Sequence, residues 1–226
     1  MYSFIWLLIL AHMIGDFVLQ TNRVAKMKAT SQKGLLLHFC LITGTQMVLM
    51  GIYYGLLGIS AAIIVGLIHG FIDYSKVKIT DKFKYQSIYF ILDQVMHILT
   101  IVVVAWLLNP GNSKYEINMH LLALNVMIIM AAYVLSILVQ FLLMDFQLSK
   151  NRVAFFQPYE RSIDSITALM VLFILNVDQL YALAAILPIG IAYGLIEGRR
   201  YGYSTKAIGM KFLVFVVFAL STSYIL

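Results

Sequence analysis

The sequence GLLLHFCLITGTQMVLMGIYYGLLGISAAIIVGLIHGFIDYS, residues 34–75, contains two successive apolar runs, 34–53 and 56–75. A helix that crosses the hydrocarbon core of a bilayer needs about 20 apolar residues, so each run is long enough for one span. Similar runs occupy residues 2–20, 87–108, 119–145, 162–177, 179–196 and 208–226. The sequence therefore predicts an all-α, polytopic membrane helical bundle of about eight transmembrane helices.

The composition excludes most soluble classes. Of the 226 residues, 62% are hydrophobic and only 12% are charged, and the mean hydropathy is +0.91. Soluble domains carry roughly 25% charged residues, and disordered chains are poor in apolar ones. We therefore expect one integral membrane domain over residues 1–226, with polar-site helices in 1–108 and supporting helices in 119–226. The single cysteine, Cys40, excludes an internal disulfide and a cysteine-rich metal site.

The basic residues alternate along the chain in a way that predicts topology. Fifteen of the sixteen Lys and Arg residues fall on the first, third, fifth and seventh connections between the apolar runs, and Lys114 is the exception. Cytoplasmic loops carry an excess of basic residues, so these connections are expected in the cytoplasm and both termini outside. The positive charge thus indicates orientation in a bacterial inner membrane rather than a nucleic-acid partner.

Ionisable residues inside the apolar runs form a second pattern. They lie toward the predicted cytoplasmic ends of the first four runs: His12, Asp16, His38, His69, Asp73, Asp93 and His97. Three of the pairs are spaced i, i+4, which places both side chains on one helical face. The pentapeptides HMIGD (12–16) and HGFID (69–73) form a weak repeat 57 residues apart. Buried polar groups must find partners, so these residues either pair with one another structurally or share one polar site.

The chemistry of this set suggests metal. Imidazole and carboxylate together, without thiolate, suit zinc, manganese or iron. All seven residues are candidate ligands, and Asp16, Asp73 and Asp93 are candidate catalytic carboxylates. Gln20 and Gln94 are candidate substrate-binding neighbours, although polar residues near helix ends explain them equally well. Asp164 is a candidate additional ligand.

The motifs AHMIGDFVLQT (11–21), LLLH (35–38), HGFID (69–73) and LDQVMH (92–97) resemble a family of small bacterial multi-pass membrane proteins of unknown function. They are similar, more distantly, to proteins regarded as membrane-bound metal-dependent hydrolases. In those groups the HxxxD elements are regarded as the metal site, which implies the same role for the seven residues above. The stretch YERSI (159–163) is similar to a Glu-Arg element of the family, which implies a role for Glu160 and for Arg161 in substrate binding.

Three functions are compatible with these residues. The first is a membrane-embedded, metal-dependent hydrolase that acts from the cytoplasmic side on a lipid-like substrate, such as a phosphoester. The second is a transporter or channel that uses the His/Asp set as a proton relay or ion site. The third is a non-catalytic membrane protein whose polar residues hold four helices together. A polar set confined to one side of the membrane favours the hydrolase, because a transporter needs access from both faces.

Overall fold

The computed structural model describes residues 1–79, 84–108, 110–148, 158–177 and 179–222. Across these residues all regular structure is helical, which confirms the all-α prediction. The α-helices are α1 (Tyr2–Met13), α2 (Asn22–Thr30), α3 (Gln32–Ile79), α4 (Gln86–Leu108), α5 (Met119–Ile129), α6 (Leu135–Asp145), α7 (Pro158–Val177), α8 (Gln179–Ile196) and α9 (Thr205–Thr222). Among the described residues, three π-helical turns extend or join them: Ile14–Val18 after α1, Met130–Val134 between α5 and α6, and Glu197–Tyr201 after α8.

Several of these helices are long and apolar enough to cross a bilayer. The described residues hold four such segments, and a fifth if the bent pair Tyr2–Val18 and Asn22–Thr30 counts as one span. The four are Gln32–Lys76, Gln86–Leu108, Met119–Asp145 and Thr205–Thr222. Their lengths and compositions indicate a membrane protein. The total of eight spans, the orientation and the single membrane domain stay predictions.

The chain forms two compact units. The N-terminal unit comprises Met1–Phe83 and Ile88–Val126, and the C-terminal unit comprises Lys84–Ser87 and Met127–Leu226. The N-terminal unit contains α1, α2, α3 and most of α4. The HxxxD motifs and their neighbours therefore all belong to this unit.

Helix α3 is a hairpin rather than one straight rod. Gly55, with φ 61° and ψ −138°, interrupts it between a first arm (32–54) and a second arm (56–79). Only glycine adopts such a left-handed conformation without steric cost. Across the bend, His38 lies 3.4 Å from His69, and Gly66 faces the Thr43 side chain. The arms therefore run antiparallel, and the two apolar runs of the sequence correspond to the two arms.

The N-terminal unit separates an apolar end from a polar end. Near the Gly55 bend, buried apolar side chains from α1, both arms of α3 and α4 pack together, among them Phe4, Leu8, Met50, Val65 and Ile101. The HxxxD residues lie farther from the bend along each helix. His12, for example, is eight residues beyond Phe4, which is about 12 Å along an α-helix. Apolar packing therefore fixes the helices while their other ends carry the polar side chains.

The π-helical turn after α1 packs closely on the first arm of α3. A Cβ atom added to Gly15 would lie 2.7 Å from the Cα of Ile42, so the two backbones are nearly in contact. Small residues permit this close approach between helices in membranes. A π-helical turn shifts the helical register locally and is frequent at functional sites. This packing places Asp16, the residue after Gly15, beside the first arm.

The C-terminal unit contains a buried charge cluster of its own. Lys211 of α9 is fully buried, with its Nζ 2.5 Å from Glu197 and 2.9 Å from Asp164. The Tyr193 hydroxyl donates a hydrogen bond of 2.5 Å to the same Asp164 carboxylate. Asp145 accepts hydrogen bonds from the backbone N–H groups of residues 86 and 87 at the start of α4, each 2.8 Å long. These contacts give Asp145, Asp164 and Glu197 local structural partners.

We predict that Gly15→Ala destabilises the protein by about 1–3 kcal/mol, because the new methyl group collides with the backbone at Ile42. The matched control is Gly44→Ala on the first arm, where a Cβ atom meets nothing within 4 Å. This control should be neutral or stabilising by about 1 kcal/mol, the helix propensity difference. Thermal unfolding in detergent measures both changes. Equal effects of the two substitutions would contradict the close approach.

Lys211→Met is expected to destabilise the C-terminal unit by about 3–5 kcal/mol, because it leaves buried carboxylates without this cation. Lys206→Met removes the same charge from an exposed position on the same helix, and should change stability by about 0.5 kcal/mol or less. Limited proteolysis and thermal unfolding report the difference. A Lys211→Met protein as stable as Lys206→Met would contradict the cluster.

Candidate metal centre

The structure brings the seven predicted ligands together at the polar end of the N-terminal unit. Each has at most 8% of its surface exposed. They come from four places along the chain: the end of α1 with its π-helical turn, the beginning and the end of the α3 hairpin, and the first half of α4. The hairpin makes this possible, because it returns the second arm to the level at which the first arm starts.

His38 connects the two HxxxD motifs. Its Nε2 atom lies 3.2 Å from Asp16 Oδ1 and 3.2 Å from Asp73 Oδ2. His69 Nε2 approaches the same Asp73 oxygen at 3.0 Å. The i, i+4 spacing inside each motif therefore aligns its own pair, while His38 joins the carboxylates of the two motifs.

Three imidazole rings lie against one another beside these carboxylates. The ring centroids of His12 and His69 are 5.1 Å apart, those of His12 and His97 are 5.2 Å apart, and those of His69 and His97 are 4.2 Å apart. Within the described part of the chain, His69 Nδ1 and His97 Nδ1 have no hydrogen-bond partner. His97 Nε2 and His12 Nε2 also lack a hydrogen bond and lie 3.5 Å and 3.9 Å from the carboxylates of Asp93 and Asp16. Burying a ring nitrogen without a hydrogen bond costs free energy, so this arrangement fits a bound metal ion that is coordinated by these nitrogens.

The ring of His12 is also supported from behind. Gln46 on the first arm of α3 contacts His12 Nδ1 through its Nε2 atom at 3.3 Å, and Gln46 is fully buried. An imidazole that binds metal through Nε2 donates its Nδ1–H, so Gln46 supports this role with its amide oxygen toward the ring, which is the other orientation of the same amide. Gln46 belongs to no motif or regular spacing in the sequence, so only the structure identifies it as a neighbour of the candidate ligands.

The donor atoms form three overlapping groups that could each hold a metal ion. The groups are His12 with His69 and His97, Asp16 with His38 and His69, and Asp73 with Asp93 and His97. Within each group the ligand atoms all lie within 4.8 Å of one another. A three-histidine group suits zinc and other borderline metals, and the groups with carboxylates also suit manganese and iron. The donor set therefore fits the metal chemistry that the sequence suggests.

Two lysines approach the same carboxylates. Lys28 of α2 lies 2.7 Å from Asp73 and 2.9 Å from His38 Nε2. Lys76, near the end of the α3 hairpin, lies 2.6 Å from Asp93. From the sequence these lysines are assigned a role in topology only, because they belong to basic connections. In the structure they are the charged partners of two candidate ligands.

The candidate substrate residues lie in different environments. Gln94 donates a hydrogen bond of 3.1 Å to Asp93 and so borders the centre. Gln20 follows the π-helical turn, and its Oε1 atom is buried without a hydrogen-bond partner among the described residues. The side chains of Glu160 and Arg161 lie outside the described residues. Asp164 belongs to the C-terminal unit, where it pairs with Lys211 and Tyr193.

The fold and this centre define a class: an all-helical membrane protein with a buried His/Asp cluster of metal-ligating composition. The chain belongs to a family described as proteins of unknown function (DUF3307), whose model matches residues 4–123. The matched region contains all seven candidate ligands. Comparison with curated proteins and with solved structures gave no match.

We predict that the protein purified without added metal or a histidine tag retains a divalent ion. His12→Ala, His69→Ala and His97→Ala each remove an imidazole from the three-histidine group and should lose most of it. His120→Ala is the matched control, because His120 is the fifth histidine and is exposed on α5. Elemental mass spectrometry gives the metal content, and thermal unfolding shows that the variants fold. Metal-free wild type that also takes up none on titration would contradict the prediction.

Proposed function

We propose that this protein is a metal-dependent hydrolase embedded in the bacterial inner membrane, which cleaves an amphipathic, lipid-like phosphoester from the cytoplasmic side. The observation that carries the proposal is the group of three buried imidazoles with unpaired ring nitrogens beside three carboxylates. Three protein ligands with a remaining open position are typical of catalytic metal sites. Ionisable residues held inside apolar helices indicate function by default.

The residues divide into two roles in such an enzyme. The histidines of the three-histidine group are the principal ligands, and a divalent ion held there would activate a water molecule and polarise a phosphoryl oxygen. A carboxylate that is not a ligand accepts the proton of the attacking water as general base. Asp16, Asp73 and Asp93 are the candidates, and all three lie within hydrogen-bonding or ion-pairing distance of an imidazole or an ammonium group.

The placement of the centre supports a substrate that comes from the membrane. His38 is six residues beyond Gln32, the first residue of α3, so it lies about 9 Å along that helix. With the basic connections in the cytoplasm, this depth corresponds to the region below the inner headgroups. A lipid can present a phosphoester there without leaving the bilayer. This topology, with eight spans and both termini outside, is part of the proposal.

A transporter or channel is the second candidate. The contacts between His12, His69, His97 and His38 form a continuous series of imidazoles, which favours a proton relay. The apolar packing of Phe4, Leu8 and Ile101 closes the other end of the N-terminal unit, so the described residues offer polar access from one end. This asymmetry favours an enzyme.

The test of the proposal is hydrolysis of phospholipids and prenyl phosphates in nanodiscs. Metal-loaded wild type is expected to release product, and chelation should abolish release. Asp73→Asn should lower the rate by about 10²-fold or more, the usual contribution of a general base or ligand. The control His120→Ala should retain the wild-type rate.

Two results would contradict hydrolysis. One is a metal-loaded protein that releases no product from any phosphoester. The other is metal-dependent movement of protons or metal ions across liposomes, which would favour the transporter. Collapse of the fold in Asp73→Asn would instead favour a structural role for the cluster.

A further inference from the structure

We propose that Lys28 and Lys76 are the phosphate-binding residues of this centre, and that they exchange between the carboxylates and the phosphate group of the substrate. The inference rests on the proposed function and assigns its anion-recognition groups. The carboxylates that the two lysines contact, Asp73 and Asp93, form a candidate ligand group with His97. A metal ion bound in that group would release the ammonium groups at the edge of the centre and would leave Asp16 as the carboxylate free to act as general base.

The position of α2 explains how Lys28 reaches the centre. The helix starts after Thr21, whose hydroxyl accepts a hydrogen bond from the Val24 N–H, and its axis is bent by 86° from the preceding α1 segment. It therefore crosses the polar end of the unit, with Val24 buried and Lys26 exposed. Lys28 points inward and contacts Asp73 and His38. Lys28 is therefore not needed for the apolar packing of α2.

The accessibility of the two lysines differs from that of the ligands. The Lys28 side chain is 14% exposed and the Lys76 side chain is 25% exposed, whereas the carboxylates they contact are 1% and 6% exposed. The lysine side chains thus extend from the surface to the buried donors. A phosphate that enters from this side meets the lysines before it meets the histidines.

Electrostatics favours the exchange. Among the described residues in contact at the centre, three carboxylates carry negative charge, those of Asp16, Asp73 and Asp93. Two ammonium groups carry positive charge, those of Lys28 and Lys76. A divalent ion added to this set makes its charge positive and repels the ammonium groups from the carboxylates. Buried charge requires compensation, and the phosphate of a phosphodiester supplies one negative charge. Ammonium groups bind phosphate oxygens through charge-assisted hydrogen bonds.

This arrangement predicts opposite effects on two ligands. Because Lys28 competes with metal for Asp73 but cooperates with metal in holding phosphate, its loss should strengthen metal binding and weaken phosphate binding. A lysine with a purely structural role would weaken both. The sign of the two changes therefore distinguishes the proposal from a stabilising ion pair.

The experiment compares Lys28→Met with Lys26→Met, which removes the same charge two residues away on the exposed side of α2. Zinc is titrated into metal-free protein by calorimetry, and inorganic phosphate or a short-chain phospholipid is then titrated into the zinc-loaded protein. Lys28→Met should bind zinc about tenfold more tightly and phosphate about tenfold more weakly, a change of about 1.4 kcal/mol in each case. Lys28→Arg, which keeps the charge, should restore phosphate binding, and Lys26→Met should match wild type.

Each outcome decides the inference. If Lys28→Met weakens binding of the phospholipid only, the inference is supported and the ligand is a lipid headgroup. If it weakens binding of inorganic phosphate only, the inference is supported and the ligand is free phosphate. Unchanged phosphate binding in both Lys28→Met and Lys76→Met overturns it, as does a parallel loss of zinc and phosphate in a folded variant. Absence of zinc binding in wild type and Lys28→Met alike overturns the proposed function, whereas normal zinc binding without any phosphate binding overturns only this inference.

Discussion

The Asp73 carboxylate is the group on which the polar end of the N-terminal unit depends. It is almost completely buried in an apolar hairpin, and it contacts His38, His69 and Lys28. A buried charge without partners is too costly to keep, so each of these contacts constrains an element. The Gly55 bend brings His38 beside His69, and the turn between α1 and α2 brings Lys28 inward. The connections between these elements thus bring to this buried carboxylate the three side chains that contact it.

The sequence predicted a large part of this unit because its signals are local. Apolar runs gave the helices, and the i, i+4 spacing gave the shared faces of His12 with Asp16 and of His69 with Asp73. The sequence did not reveal α2, since this short polar helix lies inside a connection. It also missed Lys28 and Gln46, whose partners are ten or more residues away and leave no periodic signal. Long-range contacts of this kind follow from tertiary packing rather than from spacing.

Asp164 shows the opposite limit. Its position a few residues into an apolar run resembled that of the other acidic residues, and depth alone suggested a ligand. In the structure its charge is balanced within the C-terminal unit by the fully buried Lys211. A lysine placed six residues into α9 gives no sequence signal that it belongs to Asp164, 47 positions earlier in the chain. Similar depth in the membrane is therefore weak evidence for a shared site, while shared packing partners are strong evidence.

The two HxxxD motifs are interlocked rather than merely repeated. Lys28 follows the first motif in sequence, yet it neutralises the aspartate of the second motif, and His38 contacts the aspartates of both at the same distance. The second motif with its own following segment would therefore leave Asp73 without Lys28 and His38. The family match, residues 4–123, includes all the elements that make these contacts: both motifs, α2, the hairpin and α4. The family match covers nearly the same residues as the N-terminal unit, so all seven candidate ligands and both lysines that contact them lie within the matched region.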